Sequence, residues 1–183
     1  IHLPVQSGST EILEKMNRTY TREWYKNKVD RIYEIIPECA ISSDMMTGFC
    51  SETEEEHKDS LSIMEYSQYS MSYMFFYSER PGTLAARKYE DDVPEKVKKR
   101  RLSEIIKLQS EISLKHNQND IGKTFEVLIE GDSKKSADDF CGRNSQNKMV
   151  VFPKEGNLNP GDYCHVKVDE VTSATLIGHL VEE

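Results

Sequence analysis

The apolar residues of this chain change their spacing once, near residues 117–122, and that change limits the architectures open to it. Before it, short apolar runs alternate with stretches in which apolar residues recur every three or four positions. After it, the runs are short and separated by turn residues such as Gly131-Asp132, Gly156-Asn157 and Pro160-Gly161. The chain therefore carries an α/β pattern over residues 1–118 and an all-β pattern over residues 119–183, and a domain boundary is expected near residue 119.

In the first part, residues 2–6 read as a short buried strand ending in Gln6-Ser7-Gly8-Ser9. Residues 10–17 set Ile12, Leu13 and Met16 on one helical face, and Thr21 opens a second helix that Pro37 ends. Residues 40–46 form the next predicted strand. Thr53 and Glu56 then make a capping box for a helix reaching about Tyr66. Residues 71–77, the most apolar stretch, read as a third strand, and Pro94 opens a long helix to about His116. Strands separated by helices favour parallel pairing, because parallel neighbours need long crossovers. In the second part, strands are predicted at residues 124–129, 149–152, 163–168 and 174–180, a density that suggests a small barrel. The expected fold is a partial (β/α) barrel followed by a small all-β barrel.

The net charge of −8 argues against nonspecific nucleic-acid binding, although a local basic patch can act on an acidic protein. No apolar run approaches the roughly 20 residues that span a bilayer, so no membrane association is expected. The four cysteines, Cys39, Cys50, Cys141 and Cys164, show no ligand-like spacing and read as reduced thiols. The chain opens at Ile1 without an initiator Met or a secretory leader, so a fragment of a longer polypeptide is expected.

Four polar stretches stand where chemistry could gather. Gln6 and Ser7 end the first strand, beside Gly8, and an ordinary polar turn would look the same. Ser43 and Asp44 lead into Gly48 and the capped helix, whose N-terminus could hold a carboxylate or ribose hydroxyls. Arg80, in Ser78-Glu79-Arg80-Pro81-Gly82-Thr83, could pair with a phosphate or carboxylate, or simply sit beside a turn. Lys134 and Lys135, with Arg143, Asn147 and Lys148 in the run from Gly142, suit phosphate and 2′-hydroxyl contacts; a solvated hairpin loop is the alternative.

In order and setting, these stretches resemble the radical S-adenosylmethionine (SAM) methylthiotransferase family. Residues 2–9, followed by Met16-Asn17-Arg18-Thr19-Tyr20-Thr21, look like the opening of the later half of its core. Residues 43–53 resemble its strand and loop, with Cys50-Ser51 where Pro-Gly is common. Ser78 to Thr83, with Ala85-Ala86, resembles its Ser-x-Arg-Pro-Gly-Thr-x-Ala element. Residues 119–183 look like a TRAM domain, with the Gly-Arg-x-x-x-Asn-Lys signature at Gly142 to Lys148.

The resemblance implies SAM as cofactor, near Gln6, Ser7, Ser43, Asp44 and Arg80. It also implies two four-iron, four-sulfur clusters whose cysteines, including the Cys-x-x-x-Cys-x-x-Cys motif, belong to missing N-terminal domains. No catalytic or metal-binding residue is then assigned to this chain, which alone is expected to be inactive. The implied partner is the anticodon arm of tRNA, held by Lys134, Lys135, Arg143, Asn147 and Lys148, in a cytoplasmic monomer. The branch it looks most like converts N6-isopentenyladenosine at tRNA position 37 to its 2-methylthio form. Branches acting on threonylcarbamoyladenosine or on a ribosomal-protein aspartate rank behind it, and an RNA-binding module alone is the non-enzymatic alternative.

Overall fold

The structure, a computed structural model, describes residues 1–181; the last two residues of the expected second domain, 182–183, lie outside the described residues. The chain folds as two compact units, Ile1–Gln109 and Ser110–Glu183. The long helix α5 (Glu95–Gln118) begins in the first and ends in the second.

The first unit is built on parallel strands. Strand β1 (Ser42–Thr47) pairs with β2 (Met71–Phe76) in parallel register, Ser42 opposite Met71 and Thr47 opposite Phe76. The predicted strand at residues 2–6 is reduced to two isolated parallel bridges, His2 to Ser42 and Gln6 to Met45. Proline explains part of the difference, since Pro4 has no N–H to give a ladder. Val5 instead donates its amide to the Ser43 hydroxyl at 3.1 Å.

The crossovers are helices α1 (Thr10–Lys15), α2 (Arg22–Ile35) and α3 (Glu54–Ser67). Each starts at a hydroxyl cap, Ser9, Thr21 and Thr53, and the Thr53–Glu56 capping box forms in full. A short helix α4 (Leu84–Lys88), capped by Thr83, was not expected. Strand β1 alternates in burial, with Ser43, Met45 and Thr47 inward. Ile12, Leu13, Ile41, Met45, Ile63 and Met64 are all buried in this unit.

Gly8 allows the closest approach in this layer. A Cβ at Gly8 would lie 2.1 Å from the Asp59 carbonyl oxygen, a backbone atom that cannot swing aside. Arg22 seals the contact, donating to the carbonyls of Gly8 (2.9 Å) and Asp59 (2.7 Å) and to the Ser62 hydroxyl.

The second unit contains a closed barrel of β3 (Thr124–Asp132), β4 (Asp139–Asn144), β5 (Met149–Pro153), β6 (Tyr163–Val171) and β7 (Thr175–Leu180), in the order β3-β4-β5-β7-β6. All pairs are antiparallel except β5 with β7. Strand β4 is additional to the four strands expected from sequence. It alternates inward at Phe140, Gly142 and Asn144, and a glycine and an asparagine at core positions hide the apolar period. Val127, Ile129, Phe140, Val150, Phe152, Val166, Val168 and Leu176 fill the interior. Burying each such apolar side chain contributes roughly 1.5–3 kcal/mol. No helix among the described residues is long and apolar enough to cross a membrane.

Gly8→Ala should destabilise the first unit by roughly 1–3 kcal/mol through overpacking, read as a lower urea midpoint at unchanged slope. An unchanged midpoint would mean that α3 can retreat from this contact without cost.

Candidate functional site

The parallel strands deliver their carboxyl ends to one edge of the first unit, and a cavity of about 620 Å³ opens there. Gln6, Asp44 and Arg80 line it; Met16, Met46, Phe49, Phe75, Phe76 and Leu84 supply apolar wall, and Lys15, Asn17, Arg18 and Ser78 supply polar atoms. Its size and its mixture of apolar wall with few polar groups suit a small organic ligand.

Gln6 is held in a left-handed backbone conformation, φ 71°. Its amide donates to the Asp44 carbonyl (2.9 Å), and its carbonyl accepts from the Met46 amide (2.7 Å). A non-glycine residue at such a φ costs about 1–3 kcal/mol and persists where neighbours over-determine it. Asp44 lies 3.6 Å from His2 Nε2.

The wall behind the cavity is a small cluster of Ile12, Phe49, Cys50 and Tyr77. Phe49 and Tyr77 meet edge-on with centroids 4.9 Å apart. Burial pushes the Tyr77 phenol up to about 12 and raises the Cys50 thiol as well.

Phe49 is positioned from below by a buried polar network. The Glu52 carboxylate accepts from the Gly48 amide (2.6 Å), the Thr47 hydroxyl (3.2 Å) and the Arg101 guanidinium (2.8 Å). Both members of the ion pair are almost fully enclosed, Glu52 at 0% and Arg101 at 5% side-chain exposure. Burial pushes the Glu52 carboxyl upward, while the Gly48 amide and Arg101 pull it down. His57 joins Thr47 to Glu104, whose carboxylate lies 2.7 Å from Nε2.

Two expected cavity residues are corrected. Ser7 and Ser43 are fully buried and their hydroxyls face protein: Ser7 lies 3.4 Å from the Ser60 hydroxyl and accepts from the Ser9 amide, and Ser43 accepts from Val5. They hold strand ends together and do not line the cavity. Sequence reasoning missed Lys15, Asn17 and Arg18 as lining residues. Asn17 and Arg18 lie inside the Met16-to-Thr21 stretch, and only the turn after α1 brings them to the strand edge.

The barrel's expected RNA contacts are also sorted. Lys134 and Lys135 are exposed in the β3–β4 connection, and Asn147 is exposed in the β4–β5 turn at φ 61°. Arg143 belongs to a strand rather than a loop, ion-paired to Glu130 (3.2 Å) and donating to the Asn147 carbonyl. Lys148 is mostly buried and committed to Asp120 at 2.5 Å, which makes it a structural residue. The free cationic surface expected at Gly142 to Lys148 is therefore smaller than its composition implies.

Among the described residues, no three His, Cys, Asp or Glu side chains gather to hold a metal ion, and the four cysteines are free. These residues do not fit an iron–sulfur cluster.

Residues 118–181, which include the barrel, match the TRAM domain family. Across nearly its whole length the chain is similar to tRNA-2-methylthio-N(6)-dimethylallyladenosine synthases. It is 58% identical over 181 residues to that of Amoebophilus asiaticus, covering 98% of this chain and 37% of the relative. It is 55% identical to that of Phocaeicola vulgatus (99% and 40%) and 57% identical to that of Christiangramia forsetii (97% and 37%). The chain thus spans about two fifths of the curated relatives it matches. A solution structure of a conserved Methanococcus maripaludis protein is 29% identical, covering 34% of this chain and 80% of that one, with a TM-score of 0.28, too low to bear on the fold.

Glu54 makes the network pH-sensitive. Hydrogen bonds from Arg100 (2.7 Å) and Arg101 (3.2 Å) hold its carboxyl at about 2, below the ordinary 4.5. A depressed carboxyl contributes stability that is complete above pH 4.5 and lost as pH falls toward 2. The urea midpoints of wild type and Glu54→Gln should therefore differ at neutral pH and converge through that window. A constant difference would separate Glu54 from the acid response.

Proposed function

We propose that this chain forms part of the binding walls of a radical-SAM tRNA methylthiotransferase that places a methylthio group on N6-dimethylallyladenosine of tRNA. What carries the reading is one convergence: Gln6, Asp44 and Arg80, from three segments, line a single cavity at the carboxyl edge of parallel strands. The relatives' names supply the substrate. Residues 1–118 then act as the later part of a (β/α) barrel and residues 119–183 as an RNA-contacting domain, in a cytoplasmic monomer.

The chain's own residues bind, orient and exclude water. The Asp44 carboxylate accepts from hydroxyl donors and complements a positively charged sulfonium, while the Gln6 amide offers both a donor and an acceptor. Phe49, Phe75, Phe76 and the two methionines give planar and apolar surface against which a base can lie. Arg80 stands at the rim, near substrate. When bound, SAM supplies the radical chemistry and the methyl group, and the iron–sulfur cysteines come from outside this chain.

In the complete protein carrying this chain, Asp44→Ala should weaken SAM binding about tenfold or more, by calorimetry, as expected for a lost bond to a charged acceptor. Unchanged affinity would remove Asp44 from the site. For the barrel, a Lys134→Ala/Lys135→Ala pair should lower affinity for an anticodon stem–loop and flatten the dependence of log K on log salt by about 1–2. An unaltered slope would take both lysines out of the contact.

A further inference from the structure

The arginines of this chain divide sharply by what holds them. Of its eight arginines, five are engaged by the chain itself. Arg22 caps carbonyls, Arg31 pairs with Glu34, Arg100 with Glu54 and Glu104, Arg101 with Glu52, and Arg143 with Glu130. The other three, Arg18, Arg80 and Arg87, are exposed, and among the described residues their guanidinium groups make no hydrogen bond or ion pair.

In a chain with eight more acidic than basic residues, carboxylates to neutralise an arginine are plentiful, yet these three go without. Their location is not scattered. Arg18 and Arg80 line the cavity from the turn after α1 and the loop after β2, and Arg87 lies on α4, whose Leu84 and Ala85 also line it.

We infer that Arg18 and Arg80 form a guanidinium clamp at the mouth of this cavity, each holding one of the two RNA phosphodiesters that flank the inserted base. This rests on the functional reading above. An enzyme that works on a base within a polymer must bring that base into its cavity while the flanking phosphates stay outside. The base then meets the apolar wall, and the phosphates meet whatever stands at the entrance. Guanidinium groups suit that position because their planar fork matches phosphate oxygens bidentately. Their exposure also fits the entrance better than the interior. The carboxylate of a small molecule enclosed in the cavity would need a cation inside it, whereas half-buried Lys15 is already bonded to the Ser51 hydroxyl at 2.6 Å.

The experiment uses the complete protein with its cofactors and an anticodon stem–loop carrying the dimethylallylated adenosine. Affinity is measured across a salt series for wild type, Arg18→Gln, Arg80→Gln, the double glutamine variant and the double lysine variant; SAM affinity is measured in parallel. Each glutamine should reduce the slope of log K against log salt by about 0.7, the increment for one phosphate contact on single-stranded RNA. The double variant should show about twice that. Lysine should restore the slope but not the full affinity, because a point charge keeps the electrostatic part and loses the fork. SAM affinity should not move in Arg18→Gln. An unchanged slope in the double glutamine variant, with wild type binding RNA and SAM normally, would overturn the clamp and leave the functional reading intact. A fall in SAM affinity at unchanged slope would also overturn it, assigning the arginines to the cofactor carboxylate. Failure of wild type itself to bind RNA would overturn both.

Discussion

The buried pair of Glu52 and Arg101 is the interaction on which the first unit's candidate site depends. Two opposite charges removed from water cost several kcal/mol unless the remaining hydrogen-bonding capacity is used. Here it is used in part, on backbone: Glu52 Oε2 takes the Gly48 amide and Arg101 also donates to the Glu52 carbonyl at 2.9 Å, while Glu52 Oε1 and Arg101 Nε stay buried without a hydrogen-bond partner. The pair therefore fixes the path of the chain as it leaves β1. That path carries Phe49 to the cavity wall and leads into the capped start of α3. Helix α5, distant in sequence, holds the loop through Arg101 and again through Lys98, whose side chain packs over Gly48 and whose ammonium pairs with Asp91.

A glycine at position 48 is required twice over, by its φ of 68° and by the Lys98 methylenes that lie where a Cβ would be. The Cys50-Ser51 pair in this loop is held by local contacts. Cys50 is buried against Tyr77 and Phe49, and Ser51 takes a left-handed φ of 60°, with its amide donating to Asp92 at 2.6 Å. Side-chain and acidic partners thus stabilise a conformation that glycine would adopt without help.

What could be read from sequence was chemistry that acts over a few residues. The caps at Thr21 and Thr53, the stop at Pro37 and the start at Pro94 each depend on groups within one helical turn, and each stands as expected. What could not be read was direction. Ser43 and Asp44 are neighbours on one strand, so they must face opposite sides of the sheet; Asp44 faces the cavity and Ser43 faces the helices. Helix α4 has five residues, too few to show a period, and β4 hides its period behind Gly142 and Asn144. Pairing between distant residues was equally invisible. Nothing near Lys148 in sequence announces Asp120, and nothing near Arg143 shows that its charge is already spent on Glu130.

The packing inside the β-barrel settles where recognition by that unit has to occur. Five strands enclose a narrow space, and the valines, phenylalanines, Ile129 and Leu176 occupy it. Gly142 and Gly178 draw the strands closer still: a Cβ at either would strike the carbonyl oxygen of a neighbouring strand, Leu128 at 2.2 Å or Lys167 at 2.0 Å. Such a barrel is a solid post rather than a vessel. Its inward half is committed to volume and tolerates little change, while its outward half and its connecting turns can vary without disturbing the post. Any ligand of this unit must therefore be met by outward side chains and connecting turns, because the interior leaves it no room.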